Sequence, residues 1–285
     1  MIPASFSYHK ANSVQEALGM LQQHGGDAKL LAGGHSLIPA MKLRLNQPST
    51  LIDIRHIAEL QTISVAGDHV VIGAGVTHHQ IATNAHIHAH APILAEAAEW
   101  IGDVQVRNMG TLGGSLAHAD PAADWPAVMI ASHASIEMQS ASGSRTVGAD
   151  DFFLGFFETA LQEDEIITAI KIPVAGAHTG SAYKKFMQPA SRYAIVGCAV
   201  VLTHENGKCT AASIGMTGVS EFAYREKAIE DALVGKELTP ENIKHAASLA
   251  AKDVTLMSDH FASEPYRKHL ASVYAERALV AAAGL

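Results

Sequence analysis

Two glycine-rich segments constrain this chain more than any other feature. Residues 32–42 read AGGHSLIPAMK and residues 111–124 read TLGGSLAHADPAAD, and each sets a Gly-Gly pair beside a serine, Ser36 or Ser115. A backbone without Cβ atoms can turn sharply and offer its N–H groups to an oxygen-rich anion, and a hydroxyl adds a further donor. One Gly-Gly-Ser alone is more often an ordinary turn. Two of them predict a single diphosphate held from two sides.

Composition narrows the class of protein. A length of 285 residues leaves room for two modest domains. The formal net charge is -8 and no basic run occurs, which argues against a nucleic-acid surface. No apolar run approaches the roughly 20 residues that span a bilayer, and the N-terminal residues lack the pattern of a secretion signal, so we expect a cytoplasmic protein that does not span a membrane.

The cysteine content excludes two further classes. Only Cys198 and Cys209 are present. Two cysteines cannot form a disulfide framework, and an iron–sulfur cluster needs four ligands. Any cluster that works with this chain must therefore lie on another chain.

The first part of the chain has the pattern of a compact βαβ-like unit. Residues 13–16 (SVQE) have the form of a capping box, and helical apolar spacing follows until Gly25-Gly26. Short strands are predicted at residues 29–31 and 51–54. A second helix is predicted around residues 39–45, directly after the first glycine-rich segment.

Residues 62–76 predict a hairpin that turns at residues 66–68. The Gly-Ala-Gly at 73–75 resembles half a dinucleotide fingerprint, but it lacks the third glycine, and a close backbone approach at a strand end is the better interpretation.

The following segment, residues 77–100, predicts a helix broken at Pro92 and carries several histidines. Histidines at alternate positions would splay around a helix, and no acidic residue joins them, so surface histidines are favoured over a metal site. The histidines are His78, His79, His86, His88 and His90.

Residues 135–173 alternate strand-like runs with the segment DFFLGFFETAL, whose four phenylalanines we interpret as core. Strands are predicted at residues 135–139, 144–147 and 166–172. A stretch rich in Gly and Ala at 174–180 has no periodicity and predicts a domain boundary. The division is an N-terminal domain of residues 1–176, with subdomains of about 1–55 and 56–176, and a C-terminal domain of residues 177–285.

The C-terminal part predicts strands followed by helices, the order of an α+β domain. Asn206-Gly207 is a hairpin-turn dipeptide between two of the strands. The predicted strands cover 181–186, 195–203 and 210–216, and the predicted helices cover 221–234, 241–254 and 264–283.

Four segments in this order carry a resemblance to a known family: AGGHSLIPAMKLR, VQVRNMGTLGGSLAHADPAAD, FFETALQEDEIITAIKIP and KKFMQPASRYAIVG. Over nearly its whole length the chain resembles the FAD-binding medium subunit of the molybdenum hydroxylases. That family includes aerobic carbon monoxide dehydrogenase and the flavin portion of xanthine dehydrogenase.

The resemblance implies an α+β fold: an FAD-binding domain of the vanillyl-alcohol-oxidase (PCMH) type with two α/β subdomains, followed by a C-terminal domain of a small antiparallel sheet with helices. It implies noncovalent FAD and no metal on this chain. Both glycine loops would cradle the diphosphate, Asp124 would bind the ribityl chain, Ile167 would line the adenine end, and Lys185 and Tyr193 would approach the flavin ring. Asp120 and Lys184 remain alternatives to Asp124 and Lys185. The loop residues are Ala32, Gly33, Gly34, His35, Ser36, Thr111, Gly113, Gly114 and Ser115.

The resemblance also implies an oxidoreductase subunit with no catalytic residue on this chain beyond the FAD. A large molybdenum subunit would oxidise the substrate and a small subunit would relay electrons through 2Fe-2S clusters, in a dimer of heterotrimers. The FAD would pass the electrons to an external acceptor. Two alternatives stay open: a self-sufficient FAD-dependent oxidase of the same fold, and a non-catalytic module that binds nucleotides or a metal.

Overall fold

The computed structural model describes residues 1–285. Its N-terminal unit is a three-stranded parallel sheet in which β3 lies between β1 and β2. Ser13 caps α1 by accepting a hydrogen bond from the Glu16 N–H, and the apolar face of α1 is buried. The elements are β1 (Ser7–Lys10), α1 (Val14–His24), β2 (Ala28–Leu31), α2 (Leu37–Lys42) and β3 (Thr50–Asp53).

The second unit begins with a hairpin and a series of short helices. Gly73 closes the hairpin where a Cβ would lie 2.4 Å from the Leu60 carbonyl oxygen, so the predicted close backbone approach is present. The elements are β4 (Ile63–Ala66), β5 (His69–Gly73), α3 (His78–Thr83), α4 (Ala85–His90), α5 (Pro92–Trp100), α6 (Val104–Met109), α7 (Leu112–His118) and α8 (Asp124–Ala131).

The segment predicted as one helix broken at Pro92 is therefore three helices. Asn84 ends α3 and its side chain caps α4, which adds a break that the sequence pattern did not indicate. His78 is buried, whereas His79, His86 and His88 are exposed.

The rest of the second unit completes a five-stranded antiparallel sheet in the order β4-β5-β10-β6-β7. The strand β10 is the centre of this sheet, and its four isoleucines are buried. The elements are β6 (Ser135–Ser140), β7 (Gly143–Gly148), α9 (Ala149–Phe152), β8 (Phe153–Gly155), β9 (Glu158–Thr159) and β10 (Ile166–Pro173).

The prediction that all four phenylalanines are core was wrong for two of them. Phe152 and Phe153 are buried, but Phe156 and Phe157 are 60% and 44% exposed. They form the turn between β8 and β9, where Phe157 adopts a φ of 55°. Because no other element covers the tip of this hairpin, both rings lie outside the core.

The C-terminal unit is a four-stranded antiparallel sheet with three helices, and its longest strands meet at the Asn206-Gly207 turn. Its first helix begins later than predicted, since residues 224–225 form a short strand, and its second helix ends at Ala247 instead of residue 254. The elements are β11 (Thr179–Met187), β12 (Ala194–Glu205), β13 (Lys208–Thr217), β14 (Tyr224–Arg225), α10 (Lys227–Leu233), α11 (Pro240–Ala247) and α12 (Glu264–Ala283).

The C-terminal sheet lies directly against the second unit. A Cβ on Gly215 would lie 2.0 Å from the carbonyl oxygen of Ala127, so β13 approaches the backbone of α8 more closely than a side chain would allow. No helix combines the length and the hydropathy that a membrane-spanning segment requires. The predicted α+β architecture is confirmed.

Candidate functional site

A cavity of about 840 Å³ lies between the three units and is lined by both glycine-rich segments. This volume is within the usual range for small-molecule and cofactor sites. Every residue predicted for the site except Lys185 lines it: Ala32, Gly33, Gly34, His35, Ser36, Thr111, Gly113, Gly114, Ser115, Asp124, Ile167 and Tyr193.

The first glycine loop, residues 32–36, offers unpaired backbone donors to this cavity. The N–H groups of Gly33, Gly34, His35 and Ser36 have no hydrogen-bond partner within the chain. Gly34 has a φ of 74°, which lets the loop turn between β2 and α2. Consecutive free N–H groups in a tight turn form an anion-binding concavity.

The second glycine loop, residues 111–115, has a different structure from the one predicted. Its glycines lie in the first turn of α7, capped by the Thr111 hydroxyl. The N–H groups of Leu112 and Gly113 donate to Val76 and Ala74, and those of residues 114 and 115 donate to Thr111. The backbone N–H groups of residues 112–115 are therefore already used by the segment that follows β5 and by the helix cap. That residues 111–115 help to cradle a diphosphate stays a prediction.

The two loops are in direct contact. A Cβ on Gly33 would lie 2.2 Å from the carbonyl oxygen of Met109 and 2.8 Å from the Cα of Gly110. Gly33 is therefore required for the first loop to reach the residue that precedes the second loop. The two segments, which more than seventy positions separate in the sequence, therefore lie side by side as the paired motifs predicted.

Asp124 begins α8 at the cavity wall and is 5% exposed. The Tyr183 hydroxyl donates to its Oδ1, and the Lys185 ammonium lies 2.9 Å from Oδ1 and 3.0 Å from Oδ2. Burial raises the pKa of the Asp124 carboxyl, and the neighbouring ammonium and phenol oppose that rise. Lys185 also donates to the Arg192 carbonyl at 2.7 Å, so it lies behind Asp124 and supports the loop that carries Tyr193.

Lys184 and Asp120, the alternatives to Lys185 and Asp124, have different contacts. Lys184 faces the opposite side of β11, as strand alternation requires, and its ammonium lies 2.7 Å from the Glu96 carboxylate. Asp120 lines the cavity, and its Oδ1 accepts a hydrogen bond from the Ala122 N–H at 2.9 Å. Burial raises the pKa of Asp120.

The C-terminal unit fixes the segment that leads into Asp124. The buried Thr217 hydroxyl is 2.8 Å from the carbonyl oxygens of both Pro121 and Ala123. The Ala194 N–H donates to the Ala122 carbonyl at 3.0 Å. The backbone before α8 is thus attached to the ends of β12 and β13, so both parts of the chain build this wall.

Tyr193 lines the cavity and is 40% exposed as a residue. Burial of its hydroxyl and the nearby Asp120 raise the pKa of Tyr193 to about 12, so its side chain is a neutral phenol at neutral pH. Lys29 and Arg192 also line the cavity, and neither forms a salt bridge within the chain. They supply positive charge to the wall of the cavity.

Sequence reasoning missed three wall residues with distinctive chemistry. Phe157 lies 5.0 Å from His118, ring centre to ring centre, on the cavity wall, although its apolar character suggested core. Arg192 was adjacent to the predicted Tyr193. His78 was one of the histidines interpreted as surface residues, and no pattern marked it as the buried one.

Comparison with known proteins agrees with this architecture. Residues 4–175 match the family described as FAD binding domain in molybdopterin dehydrogenase, and residues 181–282 match the CO dehydrogenase flavoprotein C-terminal domain. The carbon monoxide dehydrogenase medium chain of Hydrogenophaga pseudoflava is 42% identical over 99% of this chain and 98% of its own length. The glyceraldehyde dehydrogenase medium chain of Sulfolobus acidocaldarius is 38% identical over 98% of both chains.

A solved structure extends the agreement to the fold. Carbon monoxide dehydrogenase from Hydrogenophaga pseudoflava, in a form that lacks the Mo-pyranopterin moiety, superposes with a TM-score of 0.96 and 44% identity, covering 99% of this chain and 98% of that one. The match spans the glycine loops and the C-terminal sheet together. This chain belongs to the FAD-binding medium subunits of the molybdenum hydroxylases and is an oxidoreductase subunit.

Proposed function

We propose that the cavity holds the diphosphate of FAD at the first glycine loop. The observation that carries this proposal is the row of four unpaired N–H groups on residues 33–36. Lys29 and Arg192 add positive charge to the same cavity. Free backbone donors with cationic side chains nearby are the chemistry that a diphosphate requires.

The remaining wall residues fit the other parts of FAD. We assign the ribityl hydroxyls to Asp124, whose oxygens can accept further hydrogen bonds beside Lys185 and Tyr183. Ile167 is assigned to the adenine end, and Tyr193 to one face of the flavin ring. Lys185 acts through Asp124 and the Arg192 carbonyl, because its ammonium is buried behind the wall.

The function of this chain is to move electrons, and the bound FAD supplies the redox chemistry. Both thiols are buried, and burial raises the pKa of each. A protonated, enclosed thiol is a poor metal ligand, which supports the proposal that the electrons come from clusters on another chain. The residues of this chain bind the FAD, orient its ring and limit the access of water.

The partners are those of the family: a large molybdenum subunit and a small 2Fe-2S subunit, in a dimer of heterotrimers, with an external electron acceptor. The substrate belongs to the large subunit. The two relatives are the medium chains of a carbon monoxide dehydrogenase and of a glyceraldehyde dehydrogenase. Similar medium chains therefore occur in enzymes with different substrates.

Reduction of the flavin tests this electron path. The protein is purified from its host with any accompanying subunits, and the flavin absorbance is followed anaerobically as carbon monoxide, aldehydes and N-heterocycles are added in turn. We expect bleaching in the assembly and none in this chain alone. Bleaching of the chain alone by an organic substrate, followed by reoxidation with oxygen, would instead identify a self-sufficient oxidase.

A further inference from the structure

The second side of the cavity has no free backbone donor. The first glycine loop presents free N–H groups, but those of residues 112–115 are all used within the chain. On this side a diphosphate can therefore accept hydrogen bonds only from side chains, of which the Ser115 hydroxyl is one. The wall beside Gly110 carries a second polar side chain.

His78 provides this side chain. The residue is 5% exposed, lines the cavity, and its backbone N–H donates to the Gly110 carbonyl at 3.0 Å. Its Nδ1 accepts a hydrogen bond from the Trp125 indole N–H at 3.0 Å. Its Nε2 has no hydrogen-bond partner in the chain. Unlike Arg55 Nε, Ser132 Oγ and Arg267 Nε, which are unpartnered and fully enclosed, it is not sealed from solvent. The Nε2 atom therefore retains access to the cavity.

The position of this atom matches the contact between the two loops. A Cβ on Gly110 would lie 2.6 Å from Nε2, and Gly110 is also the residue against which Gly33 packs. His78, Gly110 and the first glycine loop thus meet at one place. The imidazole is on the side of the cavity where the second loop has no free N–H group.

The hydrogen-bond partner of Nδ1 decides the tautomer. Because the indole N–H can only donate, Nδ1 must be unprotonated, and a neutral imidazole then carries its hydrogen on Nε2. Burial lowers the pKa of His78 to about 3, so the ring is neutral at physiological pH. The result is a fixed, uncharged N–H donor.

We propose that the Nε2–H of His78 donates a hydrogen bond to the diphosphate of FAD, opposite the first glycine loop, and that Trp125 holds the imidazole in the tautomer this requires. The proposal rests on the FAD site described under Proposed function. His78 is a binding residue, and Trp125 is a positioning residue that acts through it.

Two substitutions separate the two ring nitrogens. The amide of Gln reaches the place of Nε2, whereas the amide of Asn reaches only the place of Nδ1. FAD is titrated by flavin fluorescence into the deflavinated full chain, purified with any subunits that accompany it. We expect His78→Asn to raise the Kd at least about tenfold, the scale for a lost hydrogen bond to a charged group, and His78→Gln to raise it less than about threefold. Equal losses, or no loss in His78→Asn, would overturn the proposal.

Two further measurements use the wild-type ring and a smaller ligand. Nitrogen-15 labelling of histidine should show the His78 Nε2–H tautomer in the free protein and a shift of that proton when FAD binds. An unchanged resonance would contradict the contact, even if a variant failed to fold. ADP, used as a competitor of FAD, should lose affinity in His78→Asn in proportion to FAD. Full retention of ADP binding would exclude the diphosphate as the acceptor.

The outcomes distinguish this inference from the site assignment on which it rests. If wild-type protein does not bind FAD, the assignment of the cavity is wrong. If wild-type protein binds FAD and His78→Asn binds it as tightly, the cavity stands and only the role of His78 is wrong. Trp125→Phe, which removes the indole N–H alone, should raise the Kd less than His78→Asn, since the ring remains but its tautomer is no longer fixed.

Discussion

The ammonium of Lys185 lies 2.9 Å from the carboxylate of Asp124, and both side chains are buried at the back of the cavity. Each charge is compensated only because the other is present. Lys185→Met should therefore lower the free energy of unfolding by about 3–5 kcal/mol, the usual result of leaving one buried charge unpaired. Urea unfolding of the variant measures this difference.

The adjacent lysine is a matched control. Lys184 pairs with Glu96 at 2.7 Å, but both side chains are about one-third exposed. Solvent screens such a pair, so Lys184→Met should lower the unfolding free energy by less than about 1 kcal/mol. Equal losses in the two variants would show that burial of the Lys185–Asp124 pair does not determine its contribution.

Gly34 should be essential for FAD binding, because it turns the first glycine loop with a φ of 74°. A branched side chain disfavours that conformation and would crowd Ile38 and Leu31. We expect Gly34→Val to raise the Kd for FAD at least about tenfold, a loss of roughly 1.4 kcal/mol. Gly19→Ala, at a helix position with open space around it, should leave the Kd unchanged. Full flavin occupancy in folded Gly34→Val would reject the loop as the diphosphate site.

The two carboxylates of residues 120 and 124 should differ in their effect on FAD. Asp124→Asn preserves volume but removes the charge expected to accept from the ribityl hydroxyls, and we expect a loss of about 1–3 kcal/mol in binding. Asp120→Asn should cost less, since its Oδ1 already accepts from the Ala122 N–H. Isothermal titration with FAD ranks the two variants. The reverse order would mean that Asp120 is the principal ligand.

The stability of the protein should fall in mild acid because of His78. The ring has a pKa of about 3 when folded and an ordinary value of 6.5. The unfolded chain therefore binds a proton that the folded chain does not, and stability is lost as the pH falls from about 6.5 towards 3. At pH 5 this single group lowers the unfolding free energy by about 2 kcal/mol.

Chemical unfolding between pH 7 and pH 5 tests the sign and the residue. His78→Gln should flatten the loss of stability over this range, while His79→Gln, on the exposed face of α3, should not change it. An identical pH dependence in His78→Gln and the wild type would show that the buried imidazole is not responsible.

Periodicity and turn chemistry predicted most of the fold. Strand-like runs and the Asn206-Gly207 turn indicated the C-terminal strands, and Ser13 marked the start of α1. The predictions that were wrong concerned features that depend on tertiary packing. Phe156 and Phe157 have the composition of a core but lie at a hairpin tip, where local sequence does not report burial.

The sequence also predicted part of the candidate site. The glycine motifs identified the two loops, because glycine marks places where backbone must approach closely or turn sharply. They did not reveal that only the first loop has free N–H groups, since this depends on the carbonyl groups of Ala74 and Val76, directly after β5, which accept from the second loop. Nor could they single out His78 from its neighbours, because its role depends on Trp125, which is distant in sequence.

We propose that FAD in this chain relays electrons from clusters on partner subunits. Purification from the native host, followed by quantitative analysis of flavin, iron and molybdenum in the fraction that contains this chain, tests it most directly. We expect copurification with a large and a small subunit, and flavin, iron and molybdenum together in that fraction, because the two cysteines of this chain cannot hold a cluster of their own. A flavin-loaded chain that purifies alone, without either metal, and oxidises an organic substrate with oxygen would contradict it.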